Sequence, residues 1–232
     1  MSALSSLSAL VGQIDLSVID WSEVGDATVE TLAMTGGSLF FTVLLGLPLG
    51  ILLFLTNRGQ LLEQRGLYWV LSLVVNVLRS VPFLILLILL IPFTLWLVGT
   101  SLGVTGAIPP LVIGTAPFFA RLTESVLREI DRGILEACTA MGARRRQIIF
   151  GALLPEALPG LLAAVTITAI TLMSYAAMSG VIGGGGLGDL AIRYGYQRFQ
   201  TEVMVVTVAI LVVLVQLLQF FGDRLVLRFT RK

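Results

Sequence analysis

A charged segment, residues 128–156, lies between long apolar stretches and holds the residues whose spacing most suggests a specific task. Apolar residues recur through its first half at the spacing of one helix face, namely Ile130, Ile134, Ala137, Ala140 and Met141. Gly133 and Gly142 stand where they can end a short helix with sharp turns. Glu136 falls in the first turns, where the helix dipole favours a carboxylate. We interpret this pattern as a protruding helix that binds a cleft on a partner, in preference to a helix on lipid headgroups or a solvated linker.

The chain lacks the residues that most catalytic sites need. It contains no His and a single Cys, which excludes a Ser-His-Asp arrangement, disulfides and His/Cys metal sites. Nothing beyond nearby arginines would activate the Cys138 thiol, so we interpret this residue as a small apolar member of the short helix. No predicted membrane span carries a pair of carboxylates. We therefore expect a protein that is not an enzyme by itself and that binds no metal or cofactor.

Composition indicates an integral membrane protein. Hydrophobic residues make up 56% of the 232 residues, charged residues only 12%, and a soluble domain carries roughly twice that charged fraction. The net charge of +1 argues against nucleic acid as a partner, while membrane lipid must surround the chain. Residues 1–30 are acidic and lack the basic start of a signal peptide, so we expect an outer segment followed by an uncleaved first span.

A helix needs about 20 apolar residues to cross the hydrocarbon core. The predicted spans are residues 31–56, 67–98, 107–127, 157–180 and 203–222. None of the 15 basic residues precedes Arg58, and cytoplasmic loops carry the basic excess. A single crossing by residues 67–98 places the loop at 128–156 and the basic C-terminus on the same inner side as Arg58. The sequence thus predicts an all-α polytopic membrane protein with its N-terminus outside and a transmembrane domain over residues 31–232.

Polar residues within the predicted spans have structural explanations first. We interpret Arg79 as lying near the inner interface with its charge extended to water, in preference to a role in an ion pathway. Arg121 and Glu124 are three residues apart, a spacing that allows an ion pair on one helix face. One face of the fourth span is polar, and it comprises Thr168, Thr171, Tyr175, Met178 and Ser179. These residues either line a pathway or hydrogen-bond to neighbouring helices.

A glycine-rich stretch follows the fourth span. Gly183, Gly185 and Gly188 match the spacing of a dinucleotide-binding turn, but that turn needs a preceding strand and a βαβ unit, whereas a membrane helix precedes this one. We expect a turn in which the backbone approaches a neighbour closely or adopts positive φ, within an outer connection over residues 181–202. A mobile loop at the mouth of a pore is compatible with the same pattern.

The spacing from Glu136 to Pro155 closely resembles the coupling motif of permease subunits of bacterial ABC importers, with Cys138 and Ala152 as departures from it. Further segments extend the resemblance over nearly everything from residue 31 onward. They include R-S-V-P-F at 79–83, A-P-F-F-A-R at 116–121, L-L-P-E-A-L-P-G-L at 153–161, Y-A-A-M-S-G at 175–180 and G-G-G-L-G at 184–188. Together these segments are similar to the permease subunits of methionine ABC importers.

The resemblance implies a type I importer permease of the bacterial inner membrane that works as a homodimer. A pair of cytoplasmic ATPases would bind ATP and Mg²⁺, and an extracytoplasmic binding protein would deliver methionine. The residues implied in ATPase coupling are Glu136, Ala137, Ala140, Met141, Gly142, Ala143 and Pro155. The expected pathway residues are Tyr175 and Met178, which match family positions facing the pathway, together with Thr171 and Ser179. Alternatives are the same machine with another amino acid or small polar cargo, or a channel or ion-coupled carrier working alone, which the near absence of ionisable residues in the spans disfavours.

Overall fold

The computed structural model describes residues 19–230, and every regular element within that range is helical. The helices are α1 (Trp21–Thr56), α2 (Arg65–Ser80), α3 (Phe83–Leu89), α4 (Ile91–Val98), α5 (Gly103–Arg128), α6 (Arg132–Ala140), α7 (Arg145–Ile148), α8 (Leu154–Ser179), α9 (Gly186–Leu190) and α10 (Thr201–Phe229). Two π-helical segments, Ile149–Leu153 and Ala191–Tyr196, and a short 3₁₀ turn, Gly180–Ile182, join neighbouring helices. The predicted all-α class is confirmed.

Four helical stretches of the described chain are long and apolar enough to cross a membrane: α1, α5, the continuous stretch Arg145–Ile182, and α10. The pair α2 and α3 meets the same criteria only when it is counted together, because the two helices are bent by 100° at the break. Counting this pair as one broken span gives five spans.

The bend explains why residues 67–98 do not form the single long helix that apolarity suggests. Pro82 has no backbone N–H, and its ring forces the residue before it out of the helical region. Val81 accordingly takes an extended conformation, with φ −79° and ψ 126°. The region therefore divides into α2, α3 and α4.

The first helix begins earlier than the apolar run. The Asp20 carboxylate caps it by accepting hydrogen bonds from the backbone N–H of Ser22 at 3.0 Å and of Glu23 at 3.3 Å. Residues 21–30 are consequently the first turns of α1, whereas the sequence suggested a separate segment over residues 1–30. Residues 1–18 of that segment lie outside the described range.

Helices α1 and α5 form the centre of the bundle, and small residues let them approach closely. A Cβ atom on Gly50 would lie 2.5 Å from the carbonyl oxygen of Ala120, which leaves no room for any side chain. About two turns away along α1, the hydroxyls of Thr42 and Thr115 are 2.8 Å apart and both are buried. The backbones thus touch along the inner half of this helix pair.

Charge is divided between the two ends of the bundle. Arg58, Arg128 and Arg132 line one shared pocket at the end where α1 and α5 finish. At the opposite end, Arg193 pairs with Glu23 at 3.5 Å and with Asp189 at 2.6 Å. The basic end is the cytoplasmic one by the positive-inside rule. Arg231 and Lys232, predicted on the same side, lie outside the described residues.

The glycine-rich stretch is more ordered than the expected outer connection. It comprises the 3₁₀ turn, α9 and the second π-helical segment. A Cβ atom on Gly188 would lie 2.1 Å from the carbonyl oxygen of Ala177, so α9 packs directly on the backbone of α8. The N–H of Gly186 donates to the Glu30 carboxylate at 2.7 Å, which fixes α9 to α1. Both expected reasons for these glycines are confirmed, close backbone approach at Gly188 and positive φ at Gly183.

Candidate coupling surface and transport pathway

Helix α6 is a nine-residue helix at the cytoplasmic end. It starts at Arg132 because the Asp131 carboxylate accepts a hydrogen bond from the N–H of Gly133 at 2.8 Å. Gly133 therefore lies in the first turn of the helix, whereas the sequence analysis placed it at the boundary. The cap comes from Asp131, a signal visible in the sequence as an acidic residue just before the apolar pattern.

Gly142 ends α6 by a Schellman motif. Its φ of +74° is in the left-handed region that favours glycine. Its N–H donates to the carbonyl of Thr139 at 3.0 Å, and the N–H of Ala143 donates to the carbonyl of Cys138 at 3.1 Å. These two bonds satisfy carbonyls that the helix end would otherwise leave without partners. The glycine is thus required for the shape of the segment.

The two faces of α6 divide differently from the predicted amphipathic pattern. Ile130 and Leu135 pack into an apolar cluster with Phe54, Leu127 and Leu153, at the ends of α1, α5 and the first π-helical segment. Of the predicted apolar face, Ile130 packs inward and Ile134 is half-buried, whereas Ala137 and Ala140 are exposed and Met141 is 77% exposed, beside the exposed Glu136. A face of small and apolar residues held out from its own chain is available to another protein.

The second half of the coupling motif is brought to the same end of the bundle. The backbone N–H of Arg144 donates to the Gln147 side chain at 2.8 Å, which starts α7, and the buried Ile148 anchors that helix. The π-helical segment leads from α7 without a break into α8 and contacts α6. Pro155, at the start of α8, is exposed.

A groove runs beside α6, between that helix and the turn that follows α1. The groove has a volume of about 520 Å³ and is lined by Gly59, Gln60, Leu61, Leu135, Glu136, Thr139 and Ala140. Its second wall is held by Glu63, whose carboxylate accepts bonds from the N–H of Gly59 at 3.0 Å and from Nε of Arg65 at 3.1 Å. The Gly59 hydrogen bond, and after it the Arg65 guanidinium, lower the pKa of Glu63. Nothing in the sequence singled out this turn as part of the site.

A buried carboxylate supports the base of the coupling segment. Glu124 is 1% exposed and lies between Arg121, at 2.5 Å, and Arg128, with which it also forms an ion pair. The Tyr68 hydroxyl donates to the same carboxylate at 3.3 Å, and Arg121 also reaches Ser72 at 2.7 Å. The predicted pair of Arg121 and Glu124 is therefore part of a larger network that joins α2 to the last turns of α5.

The predicted pathway residues of α8 lie in three different surroundings. Tyr175 is half-buried and its ring stacks on Phe83, with centroids 4.1 Å apart and planes 6° apart. Met178 is 47% exposed and faces a groove between α8 and α10. Thr171 is half-buried, and its hydroxyl donates to the Ile167 carbonyl of its own helix at 2.9 Å.

Ser179 is the one predicted pathway residue without access to a surface. It is 1% exposed, and its hydroxyl donates to the Ala176 carbonyl at 2.7 Å and lies 3.9 Å from the sulfur of Met34. Helical periodicity places Ser179 on the same face as Tyr175, but the Ser179 side chain points toward α1. Thr171, Tyr175 and Met178 remain the members of the predicted set with access to a surface.

Arg79 lies elsewhere than expected. The sequence analysis placed it near the inner interface, but α2 runs antiparallel along α5, and the Arg79 guanidinium lies 5.9 Å from the ring centre of Phe118. Phe118 is in the middle third of α5. Arg79 shares a cavity of about 120 Å³ with Phe83, Phe118 and Tyr175. The sequence feature that could have predicted this position is Pro82, because it bends the chain before α2 reaches the outer side of the membrane.

No group of three or more His, Cys, Asp or Glu residues that could hold a metal ion occurs in the part of the chain that the structure describes. The groove beside α6 is open, its charged member is Glu136, and the rest of its lining comprises small or apolar residues and the amide side chain of Gln60.

Comparison with known proteins places this geometry in a family. The probable D-methionine transport system permease protein of Vibrio cholerae is 53% identical over 204 residues, which cover 87% of this chain and 90% of that protein. The methionine import system permease protein of Bacillus subtilis is 48% identical over 205 residues, covering 88% of this chain and 92% of that protein.

A chain of the methionine ABC transporter solved in inward-facing conformations superposes with a TM-score of 0.90 at 50% identity, covering 91% of this chain and 98% of that chain. The type I importer permease fold implied by the resemblance is thereby confirmed. The family profile of the binding-protein-dependent transport system inner membrane component matches residues 46–232. On these similarities, the chain belongs to the family of binding-protein-dependent transport inner membrane components.

Proposed function

We propose that the chain is the membrane subunit of an ATP-driven importer, forming the pathway for methionine and coupling it to a pair of cytoplasmic ATPases. The observation that carries the proposal is α6, which its own chain holds by one face while Glu136, Ala140 and Met141 stay exposed. Family membership supports the same conclusion. ATP and Mg²⁺ would bind to the partner ATPases, so this chain supplies coupling and the pathway.

Coupling follows from how α6 is attached. Ile130 and Leu135 interlock with Phe54, Leu127 and Leu153, so a displacement of α6 is passed to the ends of α1, α5 and α8 through direct contacts. Packed cores move between discrete arrangements because they resist continuous deformation. ATP-driven closure of the ATPase pair would then favour one packing of the helices and its release would favour the other.

The remaining partners complete the machine. Large apolar side chains are exposed along α2, α4 and α10, among them Trp69, Trp96 and Phe221. Such surfaces need lipid or another protein chain to cover them. We assign them to the lipid of the bacterial cytoplasmic membrane and to a second copy of this chain across a two-fold axis. An extracytoplasmic binding protein would dock at the opposite end from α6 and deliver the cargo.

Methionine is the cargo favoured by the names of the relatives, which are methionine or D-methionine permeases. The second candidate is the same machine with another amino acid or small polar solute, because the binding protein would make the first selection. Competition of labelled L-methionine uptake by D-methionine, by other amino acids and by small polar solutes separates the cargoes. A channel or carrier working alone is the third candidate.

The test is reconstitution of the permease with the ATPase and the binding protein encoded beside it. Uptake of labelled L-methionine into proteoliposomes is expected only when all three proteins and ATP are present. If the binding protein stimulates ATP hydrolysis but no methionine is taken up, the importer carries a cargo other than methionine. Uptake by the permease alone would overturn the proposal in favour of a channel or carrier.

A further inference from the structure

Arg79 lies deep within the membrane-spanning part of the chain. Three contacts join α2 to α5 in order along the two helices. Arg128 donates to the Tyr68 hydroxyl at 3.0 Å, and Arg121 donates to the Asn76 side chain at 2.9 Å. Further along, the Arg79 guanidinium lies over the Phe118 ring. At about 1.5 Å per residue, Phe118 lies roughly 15 Å from the inner end of α5 and roughly 22 Å from its outer end. The Arg79 charge therefore lies near the middle of a hydrocarbon core that is about 30 Å thick.

The charge has no counterion in the described part of its own chain. Every ion pair found there involves other residues, and Glu124, the buried carboxylate of this region, is already held by Arg121 and Arg128. Arg79 is nevertheless exposed. An exposed arginine at this depth cannot face lipid tails without a large penalty, so it faces a neighbouring chain or a water-filled space. The cavity that Arg79 shares with Tyr175, a predicted pathway residue, points to the water-filled pathway.

The surroundings of Arg79 are suited to one class of ligand. A guanidinium binds a carboxylate with two parallel hydrogen bonds, and it does so more strongly where water is scarce. Three aromatic rings line the cavity, with Phe118 beneath the guanidinium and Tyr175 stacked on Phe83, and aliphatic residues and a glycine complete its wall. A thioether makes favourable contacts with aromatic rings at about 5 Å. A cationic head beside aromatic walls therefore matches a carboxylate joined to a short apolar or sulfur-containing side chain.

We propose that Arg79 binds the carboxylate of the amino-acid cargo during its passage, while Phe83, Phe118 and Tyr175 contact its side chain. This inference rests on the proposed function and adds a cargo site within the membrane subunit to it. With such a site, import depends on the free carboxylate of the cargo even after the binding protein has released it. The pathway therefore selects the cargo a second time.

The first experiment measures methionine imported per ATP hydrolysed in the reconstituted complex. For Arg79→Gln we expect this ratio to fall at least about 10-fold, because the charge-assisted bonds to the carboxylate are lost. Hydrolysis stimulated by the binding protein should persist, since α6 and its groove are untouched. Arg79→Lys keeps the positive charge and should restore most of the ratio. The matched control is Arg224→Gln, which removes an arginine that likewise lies over an aromatic ring, that of Phe220 at 4.4 Å.

The second experiment tests the carboxylate directly and without the binding protein. Leu78 lines the cavity, so Leu78→Cys in a Cys138→Ala background offers a thiol there for a methanethiosulfonate reagent. In the permease–ATPase complex, L-methionine should slow labelling of this thiol. Methionine amide, which has no carboxylate, should not slow it, and adding Arg79→Gln should abolish the protection by methionine.

Two results would overturn the inference. One is an unchanged import ratio in Arg79→Gln together with equal protection by methionine and its amide. The other is a parallel loss of import and hydrolysis that Arg79→Lys does not rescue, which would make Arg79 a structural residue. The proposed function fails separately, if the unmodified complex imports no methionine or imports it without ATP.

Discussion

Nη1 of Arg121 lies 2.5 Å from Oε2 of Glu124, one helical turn before the chain leaves the membrane for the coupling segment. The carboxylate is buried, and Arg128 occupies its other oxygen. Two guanidiniums around one carboxylate fix the end of α5, and α5 leads directly into α6. The base of the docking helix is therefore held by charge as well as by apolar packing.

Replacing Glu124 should destabilise the fold. Glu124→Ala leaves two arginines without their buried counterion; because both arginines are partly exposed and can be hydrated, the loss should be below the roughly 3 kcal/mol typical of a fully buried pair. We expect a clear drop in the thermal unfolding midpoint of the purified permease in detergent. Glu129→Gln is the control, because Glu129 is exposed and forms no ion pair with any described residue. Equal midpoints for the two variants would show that the network does not contribute to stability.

Contact between α1 and α5 should tolerate no added side chain at Gly50. In Gly50→Ala the new Cβ would lie 2.5 Å from both the Ala120 carbonyl oxygen and the Thr123 Cβ, so the two helices must separate. We expect the unfolding midpoint to fall. On the same helix, Gly25 has no atom within 4 Å of an added Cβ, and Gly25→Ala should stabilise by up to about 1 kcal/mol. Opposite signs for the two variants, measured in one detergent, would establish the close approach.

Gly142 should be needed for coupling more than for folding. Gly142→Ala puts a side chain at a φ of +74°, which costs about 1–2 kcal/mol and shifts the end of α6. We expect lower uptake with hydrolysis retained. Gly142→Asn should be milder because Asn tolerates this conformation. Gly151→Ala, where nothing lies within 4 Å of an added Cβ and φ is not positive, is the control. Identical uptake in Gly142→Ala and Gly151→Ala would contradict the prediction.

Charge reversal in the groove should uncouple the machine. Glu136 is exposed between α6 and the turn at Gly59, so Glu136→Lys changes the docking surface without disturbing buried contacts. We expect uptake to be abolished while membrane insertion and the amount of protein stay normal. Asp223→Lys makes the same charge change near the inner end of α10, away from the groove, and should leave uptake near its original level. Normal uptake in Glu136→Lys would remove α6 from the mechanism.

The cap of α1 should depend on pH. The hydrogen bond from Ser22 Oγ, followed by those from the backbone of Glu23 and Ser22, lowers the pKa of Asp20 below its ordinary value of 3.8. A lowered pKa in the fold means that the cap contributes fully above that ordinary value and is lost as the pH falls through the lower one.

Trp21, next to the cap and 56% exposed, can report this transition by fluorescence once Trp69 and Trp96 are changed to Phe. We expect the midpoint of its signal change to lie below pH 3.8. Asp20→Asn keeps a capping side chain that does not titrate, and it should remove the transition. The same transition in both proteins would assign it to another group.

Periodicity and motif spacing predicted the coupling helix because its determinants are local. Asp131, the apolar repeat and Gly142 act within one short stretch, and each has a conformational preference of its own. The ion pair of Arg121 and Glu124 could be predicted for the same reason, since its partners are three residues apart. Motif spacing also placed Pro155 at the same end as Glu136, although the intervening π-helical segment left no sign in the sequence.

Features that depend on how helices pack against each other could not be predicted from the sequence. The second wall of the groove comes from the turn at Gly59, far from α6 in sequence, and nothing in its composition points to α6. Arg79 was placed near the inner interface because Ser80 and Pro82 precede the long apolar run, and that reasoning gives depth only along a straight helix. The bend at Pro82 changes that depth. Ser179 shares a face with Tyr175 on a single helix, but only the position of α1 decides which of them is buried.

The unbroken helix from Arg145 to Ile182 joins the cytoplasmic end to the outer turn. It is 38 residues, and at about 1.5 Å per residue it is a rod of roughly 57 Å. One end lies beside α6, and the other meets α9 through the contact of Gly188 with Ala177. By lever geometry, a tilt of about 5° pivoting at the inner end would move the outer end by about 5 Å over that length. A small change of tilt at the cytoplasmic end is thereby converted into a displacement at the outer end that is comparable to the width of an amino acid.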